Sequence, residues 1–179
     1  SLCNKWRFMG WRSILLFDFR RDKGVKMLKK IALSLIVASS LFASEKIFVV
    51  ERESSSIAVI ENDKFKNRME NFRNTNHSVV KFYKDEAYAI SRDGYVIKFN
   101  PKKEIIEAEY KTSKSAIGFE ISEYFVAVAN YDDKSVDILT KDLKPLKKIV
   151  TNSRNVGIKL YKNYMIFSQM DSDIISVYK

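Results

Sequence analysis

Tyr88-Ala89-Ile90-Ser91-Arg92-Asp93-Gly94-Tyr95-Val96-Ile97-Lys98-Phe99 reads as two short β runs folded about a turn. Asp93-Gly94 carries the reading, because glycine supplies the positive φ that a tight hairpin needs. The flanking residues are rich in β-branched and aromatic side chains, and their apolar positions alternate with the period of a strand, not of a helix.

The same pattern recurs on both sides. Runs equivalent to Tyr88–Ser91 occur at Ile47–Val50, Val126–Ala129 and Met165–Ser168, and the four starts are separated by 41, 38 and 39 residues. A polar or acidic turn follows each one, at Glu51–Ser55, Asn130–Lys134 and Gln169–Asp173. A second run closes each hairpin, at Ile57–Ile60, Val136–Leu139 and Ile174–Tyr178. A third run precedes the later hairpins at Ser78–Phe82, Ala116–Phe119 and Asn155–Ile158, and a fourth follows at Ile105–Tyr110 and Leu146–Val150. A unit of about 40 residues with four short strands is the period of a β-propeller blade. The expected fold is therefore all-β, with four-stranded blades set radially. Residues 44–179 hold about 3.5 such units. Ile174–Lys179 stops inside an apolar run with no turn signal. The expectation is the N-terminal half of a longer propeller, poorly stable as an open arc because its end blades leave strand edges and faces uncovered.

The preceding residues have a different character. Of the formal net charge of +10, residues 1–43 contribute +7 and residues 44–179 only +3. The basic balance thus belongs mainly to the first segment, and nucleic acid is not expected as a partner of the body. Met27-Leu28-Lys29-Lys30 followed by the apolar stretch Ile31–Phe42 and the small pair Ala43-Ser44 has the order of a secretory signal peptide. Its twelve residues are too short as helix for a bilayer of about 30 Å. Residues 27–43 are read as a signal-peptide helix directing the body to the periplasm, with membrane contact only before cleavage. Residues 1–26, upstream of that methionine, are read as translated sequence outside the native protein. One Cys and one His exclude an internal disulfide and the clustered ligands of most zinc sites, so no free metal is expected.

His77–Ser91, Ser115–Ala129 and Arg154–Ser168 align without gaps over fifteen residues. This register makes His77, Ser115 and Arg154 equivalent, each just before an innermost strand. It makes Glu51, Arg92, Asn130 and Gln169 a second row, with Asp93, Tyr131 and Asp132 just beyond. Equivalent positions of radial blades form rings about the axis. Imidazole can ligate a metal or move a proton near neutral pH. Guanidinium pairs bidentately with carboxylates. Such a ring suits a large, flat polycarboxylate, and a tetrapyrrole is one, its iron taking imidazole and its side chains guanidinium.

Five segments carry a family resemblance. Val50-Glu51-Arg52 with Ile57-Ala58-Val59-Ile60, Asn76-His77-Ser78-Val79-Val80-Lys81-Phe82, Ser91-Arg92-Asp93-Gly94, Val126-Ala127-Val128-Ala129-Asn130-Tyr131 and Ser153-Arg154-Asn155-Val156-Gly157 resemble, in order and spacing, the NirF-like haem d1 biosynthesis proteins. These share a propeller with the d1 domain of cytochrome cd1 nitrite reductase. The resemblance implies an eight-bladed fold and a late step of haem d1 maturation, with haem d1 or a precursor bound as substrate or product. It implies that His77 is the haem-binding or catalytic residue, as axial ligand or acid/base. It also implies that Arg92, Asn130, Tyr131, Asp132 and Arg154 line the tetrapyrrole site, to which the ring register adds Ser115. The nitrite reductase or other maturation proteins are the implied partners. No Cys-X-X-Cys-His occurs, which separates the chain from the reductase itself. The alternative is a non-enzymatic propeller that uses the same face to hold a protein.

Overall fold

The computed structural model describes residues 45–179; the segments read above as upstream sequence and signal peptide lie outside the described residues. No helix occurs among the described residues. Fourteen strands form four antiparallel sheets, each a blade. The first blade holds β1 (Lys46–Glu51), β2 (Ser56–Glu61) and β3 (Lys64–Met69). The second holds β4 (Val80–Tyr83), β5 (Glu86–Ile90), β6 (Tyr95–Asn100) and β7 (Ile105–Lys111). The third holds β8 (Ala116–Ile121), β9 (Phe125–Asn130), β10 (Ser135–Thr140) and β11 (Pro145–Val150). The fourth holds β12 (Asn155–Tyr161), β13 (Tyr164–Gln169) and β14 (Ile174–Tyr178). Neighbours in each sheet are consecutive in the chain, the up-and-down order of a propeller blade.

Alternation explains why the blades stack. In β5, Ala87 and Ala89 face the first blade, while Tyr88 and Ile90 face the third. In β9, Val126 and Val128 face the second blade and Ala127 and Ala129 the fourth. Three apolar cores result, one per junction, and large side chains such as Tyr88, Phe99, Phe119 and Phe167 are fully buried in them. Each such burial is worth roughly 1.5–3 kcal/mol. Phe72 meets Phe99 edge to face with centroids 5.4 Å apart. The second and third blades bury both faces. The first and fourth bury one, and leave Ile47, Val49, Ile175 and Val177 exposed on the other.

The inner strands β4, β8 and β12 line a shared axial cavity of about 190 Å³, walled by Val79, Ile117, Phe119 and Val156 among others. Gly118 permits this convergence, since a Cβ there would stand 2.1 Å from the Val156 carbonyl oxygen. Gly94 has φ +87°, as its place in the Asp-Gly turn requires. Ser55, Lys134 and Asp173 adopt the same left-handed conformation at the last position of the other three turns. One strand escapes the sequence reading. β3, Lys-Phe-Lys-Asn-Arg-Met, is the outermost strand of the first blade and is exposed along most of its length.

Candidate functional site

Strand direction gathers two kinds of loop at one end of the blades. The turns 52–55, 92–94, 131–134 and 170–173 lie there, as do the segments 70–79, 112–115 and 151–154 that lead into each new blade. Backbone hydrogen bonds lace them together. Phe72 N–H donates to Ser55 O (3.1 Å), Arg92 N–H to Asn74 O (2.7 Å) and Thr112 N–H to Gly94 O (2.9 Å). Tyr131 N–H donates to Ser115 O, Met170 N–H to Arg154 O (both 2.9 Å) and Thr151 N–H to Lys134 O (2.8 Å). His77, Arg92, Ser115, Asn130, Tyr131 and Arg154 all belong to this end.

The rings differ from the gapless alignment. Asn74, Ser115 and Arg154 accept the equivalent backbone bond, so Asn74, not His77, is the counterpart of Ser115 and Arg154. His77 sits in an extra turn peculiar to the second blade, closed by Ser78 N–H to Thr75 O at 2.9 Å, with His77 φ at +60°. An inserted turn is invisible to an alignment that forbids insertions. The second row also slips by one. Glu51, Asn130 and Gln169 pair with Ser56, Ser135 and Ile174. Ser91 occupies that place in the second blade, donating its N–H to Tyr95 O at 2.8 Å. The next row is therefore Arg52, Arg92, Tyr131 and Met170.

His77 is exposed, and its imidazole has no hydrogen-bond partner among the described residues. The turn beneath it is pinned. Thr75, buried, donates Oγ1–H to Glu51 O (2.8 Å) and Arg52 O (3.2 Å). Ser78 Oγ donates to Ile90 O, and Asn76 N–H donates to Asn74 Oδ1 (3.0 Å). Arg92 is half-buried, and its guanidinium is unpaired among the described residues.

The third and fourth blades arrange their residues differently. Arg154 donates Nε–H to Asp171 Oδ1 (2.7 Å) and Nη1–H to Tyr131 Oη (2.8 Å), with its guanidinium 5.1 Å from the Tyr131 ring centroid. The Arg154 side-chain hydrogen bond, and after it the Arg154 backbone N–H, hold the Asp171 carboxyl below its ordinary value. Asp171 was not among the residues singled out in the sequence, yet its turn repeats a signal. Asp93, Asp133 and Asp171 each accept an N–H from the incoming segment, from Asn74 (3.2 Å), Lys114 (3.1 Å) and Arg154 (2.9 Å).

Asn130 is completely buried. It accepts from Thr112 Oγ1 (2.9 Å) and donates to Ser135 Oγ (3.0 Å) and Asp137 Oδ2 (2.5 Å). Its amide is thereby committed within the blade and reaches a ligand only through the neighbours it positions. Burial pushes the Asp137 carboxyl up, against the opposing pull of Asn130 and Lys148. Ser115 is buried, and its Oγ lacks a partner among the described residues. Among the described residues, no group of three His, Cys, Asp or Glu side chains converges as a metal cage.

Radial blades of three or four antiparallel strands with a laced loop face define a β-propeller that presents its polar groups at one end. Residues 42–168 match the cytochrome D1 heme domain, and the chain belongs to that family. The solved dihydro-heme d1 dehydrogenase NirN in complex with DHE superposes with a TM-score of 0.63 at 20% identity, over 69% of this chain and 30% of that one. The WD40 propeller of Doa1 gives 0.61 at 15% identity, over 77% of this chain and 48% of that one. BamB from Moraxella catarrhalis gives 0.58 at 14% identity, over 74% and 39%. At such identities these likenesses establish the propeller alone, and the chain spans less than half the length of each of the three. No curated protein sequence matches the chain significantly.

Proposed function

We propose that this propeller binds haem d1 or a precursor of it on the laced loop face and serves a late step of haem d1 maturation in the periplasm. The observation that carries the reading is His77. A chain of the cytochrome D1 heme domain family holds its one imidazole on a pinned, left-handed turn, exposed and without a partner among the described residues. An imidazole with both nitrogens free can ligate iron or hold a proton. The rest of the donor set fits the same group. Arg92 offers an unpaired guanidinium for a carboxylate. Val79, Ile117 and Val156 supply apolar wall in the axial cavity below the loops.

Bound there, the tetrapyrrole would supply its own redox and macrocycle chemistry. The chain's part is to present the imidazole, to fix the carboxylate edge by guanidinium, and to hold the loops in register through Thr75 and Asn130. Export through residues 27–43 would place the site in the compartment where cytochrome cd1 nitrite reductase is assembled.

Titration of the chain with haem d1, followed at the Soret band, tests this. Wild type is expected to shift the band, and His77→Ala to give a different spectrum and weaker binding. Identical spectra and affinities for the two would remove His77 from the site. A wild-type protein indifferent to the pigment would favour a protein-holding propeller.

A further inference from the structure

We infer that the uncovered faces of the first and fourth blades are junction faces, and that a second copy of this chain covers both, so that two four-bladed arcs close into one ring.

Antiparallel pairing fixes which side chains share a face, because directly opposite residues point the same way. In the first blade Val49 stands opposite Ala58, and Ile47 opposite Ile60, which is itself opposite Phe65. In the fourth, Val177 stands opposite Ile166 and Ile175 opposite Ser168. Glu51, Ser91, Asn130 and Gln169 hold one place in the four blades. By that register Ile47 and Val49 hold the places of Ala87 and Ala89, of Val126 and Val128, and of Met165 and Phe167. All six of those are buried against the preceding blade. Ile47 and Val49 are 45% and 41% exposed, with no blade before them. At the other end, Ile175 holds the place of Ile57, Val96 and Val136, each buried against the following blade. Ile175 is 70% exposed, and its neighbour Val177, in the place of Val59, is 59% exposed.

The first internal junction shows how two such faces meet. Ala87 and Ala89 of the second blade share one buried cluster with Ile57 and Val59 of the first. The same contact made by the end blades sets Ile47 and Val49 of one copy against Ile175 and Val177 of the other. The charges on these faces are already answered, Arg68 by Glu51 at 2.7 Å and Lys159 by Glu120 at 2.5 Å, so covering them strands no ion.

A partner must offer a complement to each end, and this chain offers both. The first blade of one copy against the fourth of the other, taken twice, is a closed two-fold arrangement. Propellers close with about four to eight blades. Two copies of four blades reach the upper end of that range, and three copies exceed it. Area also favours closure. Three strands of about six residues present a face of roughly 14 by 20 Å. One junction then covers on the order of 550 Å² in total, the size of a lattice contact, and two cover about 1,100 Å², enough for a specific interface.

Light scattering on the whole chain as it leaves a sizing column tests this. Wild type should have twice the 20.9 kDa mass of one chain. Val49→Glu and Val177→Lys should each weaken association at least about a hundredfold, since every dimer of either variant carries a charge at both junctions. Their circular dichroism should match wild type, because both positions are exposed in the single chain. Ile47→Glu repeats the test at a second exposed position. An equimolar mixture of Val49→Glu and Val177→Lys should recover a dimer of intermediate affinity, with one junction unaltered and opposite charges at the other. A wild-type mass of one chain overturns the inference and leaves these faces to blades of another polypeptide. Masses that climb steadily with concentration overturn the closed ring. A Val177→Lys protein that still dimerises means that first blades pair with each other, and a mixture that stays monomeric means that the two faces are not partners; either result overturns the assignment.

Discussion

The two halves of the loop face use the same kinds of residue to opposite ends. Between the third and fourth blades the arginine and the central amide are answered from within: Arg154 by Asp171 and Tyr131, Asn130 by Thr112, Ser135 and Asp137. Between the first and second blades, His77, Arg52 and Arg92 stand unanswered on a loop that is itself tightly bonded. Where polar side chains satisfy one another they stabilise the fold. Where a rigid backbone presents unsatisfied ones, it is prepared for something else. The difference lies in which partners the neighbouring turn supplies, not in residue type. Asp171 reaches back to the arginine of its own blade, whereas Asp93 bonds a backbone amide and leaves Arg92 free.

The largest effect should come from the answered half. Asn130→Ala would remove three hydrogen bonds from the buried network, leaving Thr112 Oγ1 only Gly94 O at 3.1 Å and the Asp137 carboxyl only Lys148 at 3.3 Å, and buried bonds of that kind cost about 3 kcal/mol together. The urea midpoint should fall accordingly. A midpoint within error of wild type would mean that the buried network is not what holds the third blade's turn. Thr75→Val should follow at about 1–2 kcal/mol, since a buried hydroxyl with two carbonyl acceptors is replaced by a methyl of the same shape. It should also lower the affinity for haem d1, because the loop that carries His77 would lose its tie to Arg52. A loss of stability without a loss of binding would separate the loop from the site.

Arg154→Gln should leave the urea midpoint where it is, because an exposed ion pair is screened and contributes little. Its signature should instead be local, with the Asp171 carboxyl rising toward its ordinary value once the guanidinium is gone.

The blades were legible because alternation and turn chemistry are local. Asp93-Gly94 marks a hairpin without reference to any other part of the chain, and the other three turns are found by their distance from it. β3 was not legible, since an outermost, exposed strand such as Lys-Phe-Lys-Asn-Arg-Met needs no apolar face and is held by pairing with β2. All the site residues named from the sequence lie at one end of the blades, which follows from strand direction. Their grouping did not follow. His77 entered the wrong ring because its turn is an insertion. Arg52 stood one residue beyond the row that the alignment defined, and Asn130 looked like a ligand residue because burial of an amide leaves no mark in the sequence. Asp171 belonged to an acidic turn that had been noticed, but only the fold shows which of its neighbours it pairs with.

The smallest effect concerns protonation, and it sharpens the comparison because the two halves should respond with opposite sign. Arg68, and after it Ser56, hold the Glu51 carboxyl down at about 2. A lowered acid contributes stability that is complete above its unfolded value and is lost as the pH falls through the folded one, so the Glu51 contribution disappears between 4.5 and about 2. Asp137 is raised by burial. Its neutral form suits the fold, so its contribution is greatest below 3.8 and declines as the pH climbs past that value. Carboxyl-carbon NMR should show Glu51 still ionised at a pH where Asp137 is protonated. Arg68→Gln should bring Glu51 up toward 4.5 and leave Asp137 unmoved. If Glu51 titrates at its ordinary value in wild type, its pairing with Arg68 does not persist in solution. Glu51 would then be free to pair with the neighbouring Arg52, and the turn of the first blade would be answered from within as that of the fourth is.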